Sequence, residues 1–191
     1  IDVTGMVVQY SPEGEGTWSG CPVQTADLPW KAGATTGVEV DTTGLADAVY
    51  DFRVQLTDWV GNVTPTTVLA AIWVDNTAPP APTALTVAAS AAGTIEVAWT
   101  ASSPDTEVFE YWMYRSGFSG GPYTIIGAVS RGTTSYCDNP PVPNATTYYY
   151  VASAADRYGN ESGFSNEAGA TTDFVPPQFL EQKIPGVRFP G

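Results

Sequence analysis

A chain of 191 residues with a net charge of −13, only seven basic residues and no histidine rules out much familiar chemistry. Histidine-based catalysis, His-ligated zinc or copper and a histidine pH switch are excluded, and the charge argues against nucleic acid and anionic membrane surfaces, which need a positive patch. With 43% hydrophobic residues, 19 Gly and 16 Pro, the composition fits a globular chain of short strands and many turns, with room for two domains of about 90 residues.

Residues 1–75 read as a first unit. Met6, Val8 and Tyr10 alternate as in a half-buried strand. A Gly-rich turn follows, and Thr17-Trp18 opens a return strand. Asp27-Leu28-Pro29-Trp30 is a loop or edge segment, since proline cannot donate to a central ladder. Residues 38–41 are a short strand. A long strand then carries Tyr50, Phe52, Val54 and Leu56 to one side and ends in Asp58-Trp59-Val60-Gly61-Asn62. This is turn punctuation: the aspartate bonds backbone ahead of it, and Gly61 takes a positive φ. Residues 67–74 form the last strand of the unit. It is apolar on both faces, so cover is expected on both sides.

Residues 76–82 are a Pro-rich linker, extended and semi-rigid, expected to set two domains roughly end to end. Residues 83–172 form the second unit. Strands are expected at 82–87, at 93–99 ending on Trp99, at 111–116, 120–127 and 134–138, and from Thr146 onward, with 162–168 closing the unit. The strand from Thr146 repeats the pattern met in the first unit. Tyr148, Tyr150, Ala152 and Ala154 alternate, then Asp156-Arg157-Tyr158-Gly159-Asn160 turns the chain, 98 residues after the first copy. Residues 173–191 are an extended tail rich in proline and large apolar residues, an unusual mixture for a solvated linker.

No apolar run approaches the roughly 20 residues that span a bilayer, so membrane insertion is not expected. The chain opens on Ile1 and shows no signal peptide, as a mature, trimmed or partial product would.

The segments Val8-Gln9-Tyr10-Ser11-Pro12, Val40-Asp41-Thr42-Thr43-Gly44-Leu45 and Asp58-Trp59-Val60-Gly61-Asn62 resemble those of bacterial Ig-like domains of surface and secreted proteins. About five strands precede Asp75, whereas an Ig-like sandwich has about seven, so the first one or two are missing. The second unit resembles, over its whole length, a fibronectin type III domain of the bacterial extracellular kind. Trp99 matches the core tryptophan of that family, and Tyr148 the tyrosine whose hydroxyl ties its strand to the preceding corner. The resemblance implies an all-β chain: two tandem Ig-like and fibronectin type III β-sandwiches, extracellular or at the cell surface. Tyr50, Gly61, Trp99, Tyr148 and Gly159 would hold the two folds.

Candidate sites are few. Asp58, Asp75, Asn76 and Asp156 could supply oxygens to an interdomain calcium ion, but none lies in a dense Asp/Asn loop. Trp18, Trp30, Trp59, Trp73 and Trp112 could stack on carbohydrate, and Trp59 and Tyr158 are the aromatics least explained by a core. Asn62, Asn144 and Asn160 open N-x-Ser/Thr sequons. Cys21 and Cys137 fall in different units, each a structural thiol or half of an intermolecular disulfide. No nucleophile motif or phosphate loop accompanies the twenty acids. The expected role is therefore non-enzymatic and free of cofactors: a structural module of a cell-surface or filament-forming protein. Its tail residues Phe174, Phe179, Leu180, Ile184, Val187 and Phe189 would mediate head-to-tail self-association. The alternatives are an accessory binding or spacer region of a secreted polysaccharide- or protein-degrading enzyme, or an adhesin.

Overall fold

Alternating apolar side chains draw both halves of the chain into antiparallel sheets, as the computed structural model shows. It describes residues 3–21, 23–25, 39–64, 68–90, 93–139 and 146–172. Those residues contain strands and no helix, and the chain divides into unit 1, Ile1–Thr77, and unit 2, Ala78–Gly191. The Asp27–Trp30 segment, the Asn144 sequon and the whole tail lie outside the described residues.

Unit 1 contains β1 (Val3–Pro12), β2 (Ser19–Cys21), β3 (Val23–Thr25), β4 (Glu39–Val40), β5 (Ala48–Asp58) and β6 (Val68–Val74). The main sheet runs β2-β1-β5-β6, and β3 and β4 pair separately. The register of β1 on β5 sets Val8 opposite Val54 and Tyr10 opposite Phe52. Val8, Cys21, Tyr50, Phe52 and Val74 thereby form a small buried core, with Met6, Tyr10 and Val54 packed against it. The Tyr50 hydroxyl donates to the Ala46 carbonyl at 3.1 Å and ties the start of β5 to the preceding corner.

The last strand of unit 1 corrects an expectation. β6 is not covered on both faces: Val68, Leu69, Ile72 and Trp73 are all at least 42% exposed. It is the edge of its sheet. An apolar run shows that a strand could be buried on two sides, but it does not supply the layers that would bury it. A bulge also bends it. Two residues of β6, Ala70 and Ala71, lie between the partners of Tyr50 and Phe52, Ala71 takes a φ of 57°, and the Asp51 carboxylate accepts the Ala71 N–H at 3.1 Å. Bulges of this kind recur at sheet edges.

Unit 2 contains β7 (Thr83–Ala89), β8 (Ile95–Thr100), β9 (Glu110–Ser116), β10 (Thr124–Ser130), β11 (Ser135–Asp138), β12 (Thr147–Ala155) and β13 (Ala168–Thr171). They form two sheets, β10-β9-β12-β13 and β11-β8-β7. Every second residue of β8 faces inward, so Ile95, Val97 and Trp99 pack with Leu85, Tyr111, Met113 and Tyr150 in one core. Fully burying each such side chain contributes about 1.5–3 kcal/mol. Trp99 meets Tyr111 edge-on at 5.6 Å between centroids. At the rim, Asp138 accepts from the Tyr150 hydroxyl at 2.7 Å and from Arg115 at 2.8 Å.

The closing strand of unit 2 lies later than the sequence pattern suggests, at β13 rather than residues 162–168. Residues 161–165 instead run along β12 beyond the reach of β13. The Ser162 and Ser165 hydroxyls accept the Ala154 and Ala152 N–H groups, and the Ser162 and Ser165 N–H groups return bonds to the same two residues. β12 is consequently buried on both faces from Tyr150 to Ala155. Asn166 then clamps β7: its amide accepts the Leu85 N–H and donates to the Leu85 carbonyl, each at 2.8 Å.

Candidate functional site

The two Asp-x-x-Gly-Asn turns are built alike. Asp58 Oδ1 accepts the N–H groups of Val60 and Asn62, and its Oδ2 accepts the Asn62 side-chain amide. Asp156 does the same with Tyr158 and Asn160. Gly61 and Gly159 sit at φ of 88° and 92°, where a side chain would be strained. The Asn62 amide, with the turn's own N–H groups behind it, holds the Asp58 carboxyl below its ordinary range. Each turn presents an aromatic ring at its tip: Trp59 is 77% exposed and Tyr158 52%.

The calcium candidates face inward on their own turns. Beyond the two aspartates just described, Asn76 donates to the Thr42 and Leu45 carbonyls, and Asp75 accepts the Thr77 N–H. Among the described residues no group of three or more Asp, Glu, Cys or His side chains gathers to hold a metal.

A larger aromatic surface covers the outer face of the four-stranded sheet of unit 2. The pleat of β9 and β12 turns Trp112, Tyr114 and Tyr149 outward, away from Tyr111 and Tyr150. Phe164, from the segment along β12, sits between Tyr114 and Tyr123 with centroids at 5.0 and 5.6 Å. Three carboxylates fix this surface. Glu110 accepts the Trp112 indole N–H, Glu161 accepts the Tyr114 hydroxyl, and Glu167 accepts the Tyr123 and Ser119 hydroxyls and the Gly120 N–H. Burial, then the bond to the neighbouring glutamate, pushes the Tyr114 and Tyr123 hydroxyls up to about 12. They stay protonated and donate at any ordinary pH. Phe164, half exposed, and the glutamates 44 to 48 residues from their partners carry no local sequence signal.

In unit 1, Val8, Val40, Phe52, Val54, Leu69 and Ile72 line an open apolar groove of about 310 Å³. Arg53 lies on the rim, its guanidinium 4.1 Å from the centre of the Trp18 ring. Of the aromatic candidates, then, Trp18 stacks on an arginine, Trp59 and Trp73 are exposed, and Trp112 is half-buried. Trp30 lies outside the described residues, as do all six tail residues.

Both cysteines are free thiols. Cys21 is buried in the core of unit 1, which raises its pKa, so only Cys137 is exposed enough to meet another chain. A hydrogen bond to Glu96 raises the Cys137 thiol as well, which keeps it in the less reactive form.

No family model matches the chain. Part of it, 96 residues or 50% of the chain, is 40% identical to an amylopullulanase of Thermoanaerobacterium thermosulfurigenes and covers 5% of that protein. A stretch of 145 residues, 76% of the chain, is 30% identical to exoglucanase B of Cellulomonas fimi and covers 12% of it. The chain thus spans only a small part of these relatives. In structure it is similar to the FN1-FN3 domains of chicken CNTN1, with a TM-score of 0.66, 21% identity, 88% of this chain covered and 56% of that one.

Proposed function

We propose that the chain, which resembles bacterial Ig-like and fibronectin type III β-sandwiches, is a non-catalytic accessory module of a larger extracellular polysaccharide-degrading enzyme. One observation carries this reading: stretches of the chain recur, at 40% and 30% identity, in two relatives whose names denote different polysaccharide-acting enzymes. A module shared between different activities serves something common to them, such as spacing or holding on the polymer. The outer face of unit 2 fits holding. Trp112, Tyr114, Tyr149 and Phe164 offer ring faces for the apolar sides of sugars, and Glu161 and Glu167 stand beside them as acceptors for hydroxyl groups. The reading as a repeat of a filament-forming protein draws its support only from the open face of unit 1.

Depletion of the purified chain by insoluble starch and by cellulose tests the proposal. Retention on at least one polymer is expected, weakened by Phe164→Ala and Trp112→Ala, with no release of reducing sugar. Absence of retention on both sinks the holding role, and release of sugar sinks the non-catalytic one.

A further inference from the structure

The internal repeat allows unit 1 to be compared with unit 2 strand by strand. β5 corresponds to β12, so β1 corresponds to β9, β2 to β10 and β6 to β13, and the two sheets share one order. In unit 2 the inner face of that sheet meets β11-β8-β7, and β8 lays Ile95, Val97 and Trp99 on it at 0%, 0% and 6% exposure. In unit 1 the described residues offer only β3 and β4, of three and two residues. What remains is the groove of Val8, Val40, Phe52, Val54, Leu69 and Ile72. The outer strands differ in the same sense. β13 is four small residues, Ala168–Thr171, whereas β6 is seven residues of which four are large, apolar and exposed. A long apolar edge with unpaired backbone groups is a template for strand addition.

We propose that this groove and the free edge of β6 receive residues 173–191 of a second copy of the chain. The proline-free run between Pro177 and Pro185 is seven residues, Gln178 to Ile184, matching the seven of β6. As a strand it would set Leu180 and Ile184, with Gln178 and Gln182, to one side, and Glu181 and Lys183, with Phe179, to the other: two large aliphatic groups for the groove and both charges for water. The flanking prolines hold the added strand to an edge and stop it from growing. Charge permits the contact. The tail is neutral, with Asp173 and Glu181 against Lys183 and Arg188, while residues 1–172 carry the whole −13 (five basic, eighteen acidic). At about 3.3 Å per residue, nineteen residues reach roughly 60 Å, enough to leave one subunit and meet another. Each copy gives a tail and receives one, so the contact is heterologous and propagates into a chain of subunits unless it closes into a ring.

Sedimentation velocity on the full chain tests this. Mass should rise with concentration and fall back to monomer when a synthetic peptide of residues 173–191 is added in excess. Two variants isolate the halves of the contact: Leu69→Asp with Ile72→Asp in the groove, and Leu180→Asp with Ile184→Asp in the tail. Each alone should be monomeric, with association weakened at least tenfold. Mixed together they should form a dimer and nothing longer, since the mixture holds one intact groove and one intact tail. The dimer itself would show that both variants are folded. A full chain monomeric at all concentrations, assembly indifferent to the peptide, or a mixture that stays monomeric overturns the proposal.

Discussion

Among the described residues, unit 1 and unit 2 share a four-stranded sheet but not the layer that faces it. In unit 2 a second sheet closes over the inner face, and the segment from Glu161 to Ser165 covers the exposed flank of β12. In unit 1 the corresponding inner face opens onto an apolar groove and the last strand is bare. The repeated strand and turn therefore account for the shared sheet and not for the layer that faces it. A central strand acquires its register and its turn from local residues, whereas a core requires chain from elsewhere to lie across it.

Core truncation should separate the units most strongly. Trp99→Ala removes a side chain enclosed on all sides and should cost about 3–5 kcal/mol. Phe52→Ala, on the wall of an open groove, should cost about 2 kcal/mol, nearer the transfer contribution alone. Hydrogen exchange of the β9 and β12 amides, against those of β1 and β5, reads the two units apart. Equal costs would mean that the groove of unit 1 is filled in solution.

Asp138→Ala tests the closed rim of unit 2, which has no counterpart among the described residues of unit 1. It leaves Tyr150 and Arg115 without their shared acceptor and should destabilise unit 2 by about 3 kcal/mol. Urea melts in which unit 1 unfolds at its wild-type midpoint would localise the loss.

A smaller effect probes what the units have in common. Tyr50→Phe deletes the bond to Ala46 and should cost about 1 kcal/mol. Tyr148 occupies the equivalent position, and the carbonyl four residues upstream, that of Asn144, lies outside the described residues. Tyr148→Phe should cost about 1–2 kcal/mol in unit 2 if both corners are tied alike. An unchanged midpoint would leave Tyr50 as the lone corner tyrosine.

The smallest expected effect is on pH. Bonds from the Tyr123 hydroxyl, then the Gly120 N–H, then Ser119 lower the Glu167 pKa below its usual 4.5. A carboxyl lowered on folding stabilises fully above its unfolded value and loses that contribution as pH falls through the folded one. Asp58 behaves likewise in unit 1, below its ordinary 3.8. Amide protection at Gly120 and at Val60 should therefore weaken on acidification from about pH 5 to about pH 3. Glu167→Gln should remove the pH dependence at Gly120 and leave that at Val60. A Gly120 profile unaffected by the substitution would show that Glu167 does not pin that loop.

Much of this was legible in the residues. Met6, Val8 and Tyr10 announced β1, the Tyr-to-Asn repeat announced β5 and β12 with their turns, and Trp99 lies in the core as the resemblance to a fibronectin type III domain implied. What escaped depends on partners far along the chain. Residues 68–74 have the apolarity of a doubly covered strand, and nothing within them reports that Val68, Leu69, Ile72 and Trp73 stay exposed. Ser162 and Ser165 fall in the segment 162–168 expected to close unit 2, yet they spend their side chains on the backbone of β12. Glu161 and Glu167 were two acids among twenty until the fold brought Tyr114 and Tyr123 beside them.

The Asn166 clamp has a mechanical side. Tension on a polypeptide that includes unit 2 enters through β7 and leaves through β13, strands that belong to different sheets and so share no ladder. Asn166, two residues before β13, grips Leu85 in the middle of β7 with two hydrogen bonds, so a stretched module loads this one amide before either sheet must part. Asn166→Ala should lower the force at which unit 2 yields in single-molecule pulling by more than its equilibrium stability would suggest. In any stretched polypeptide that carries unit 2, that amide would be the fuse.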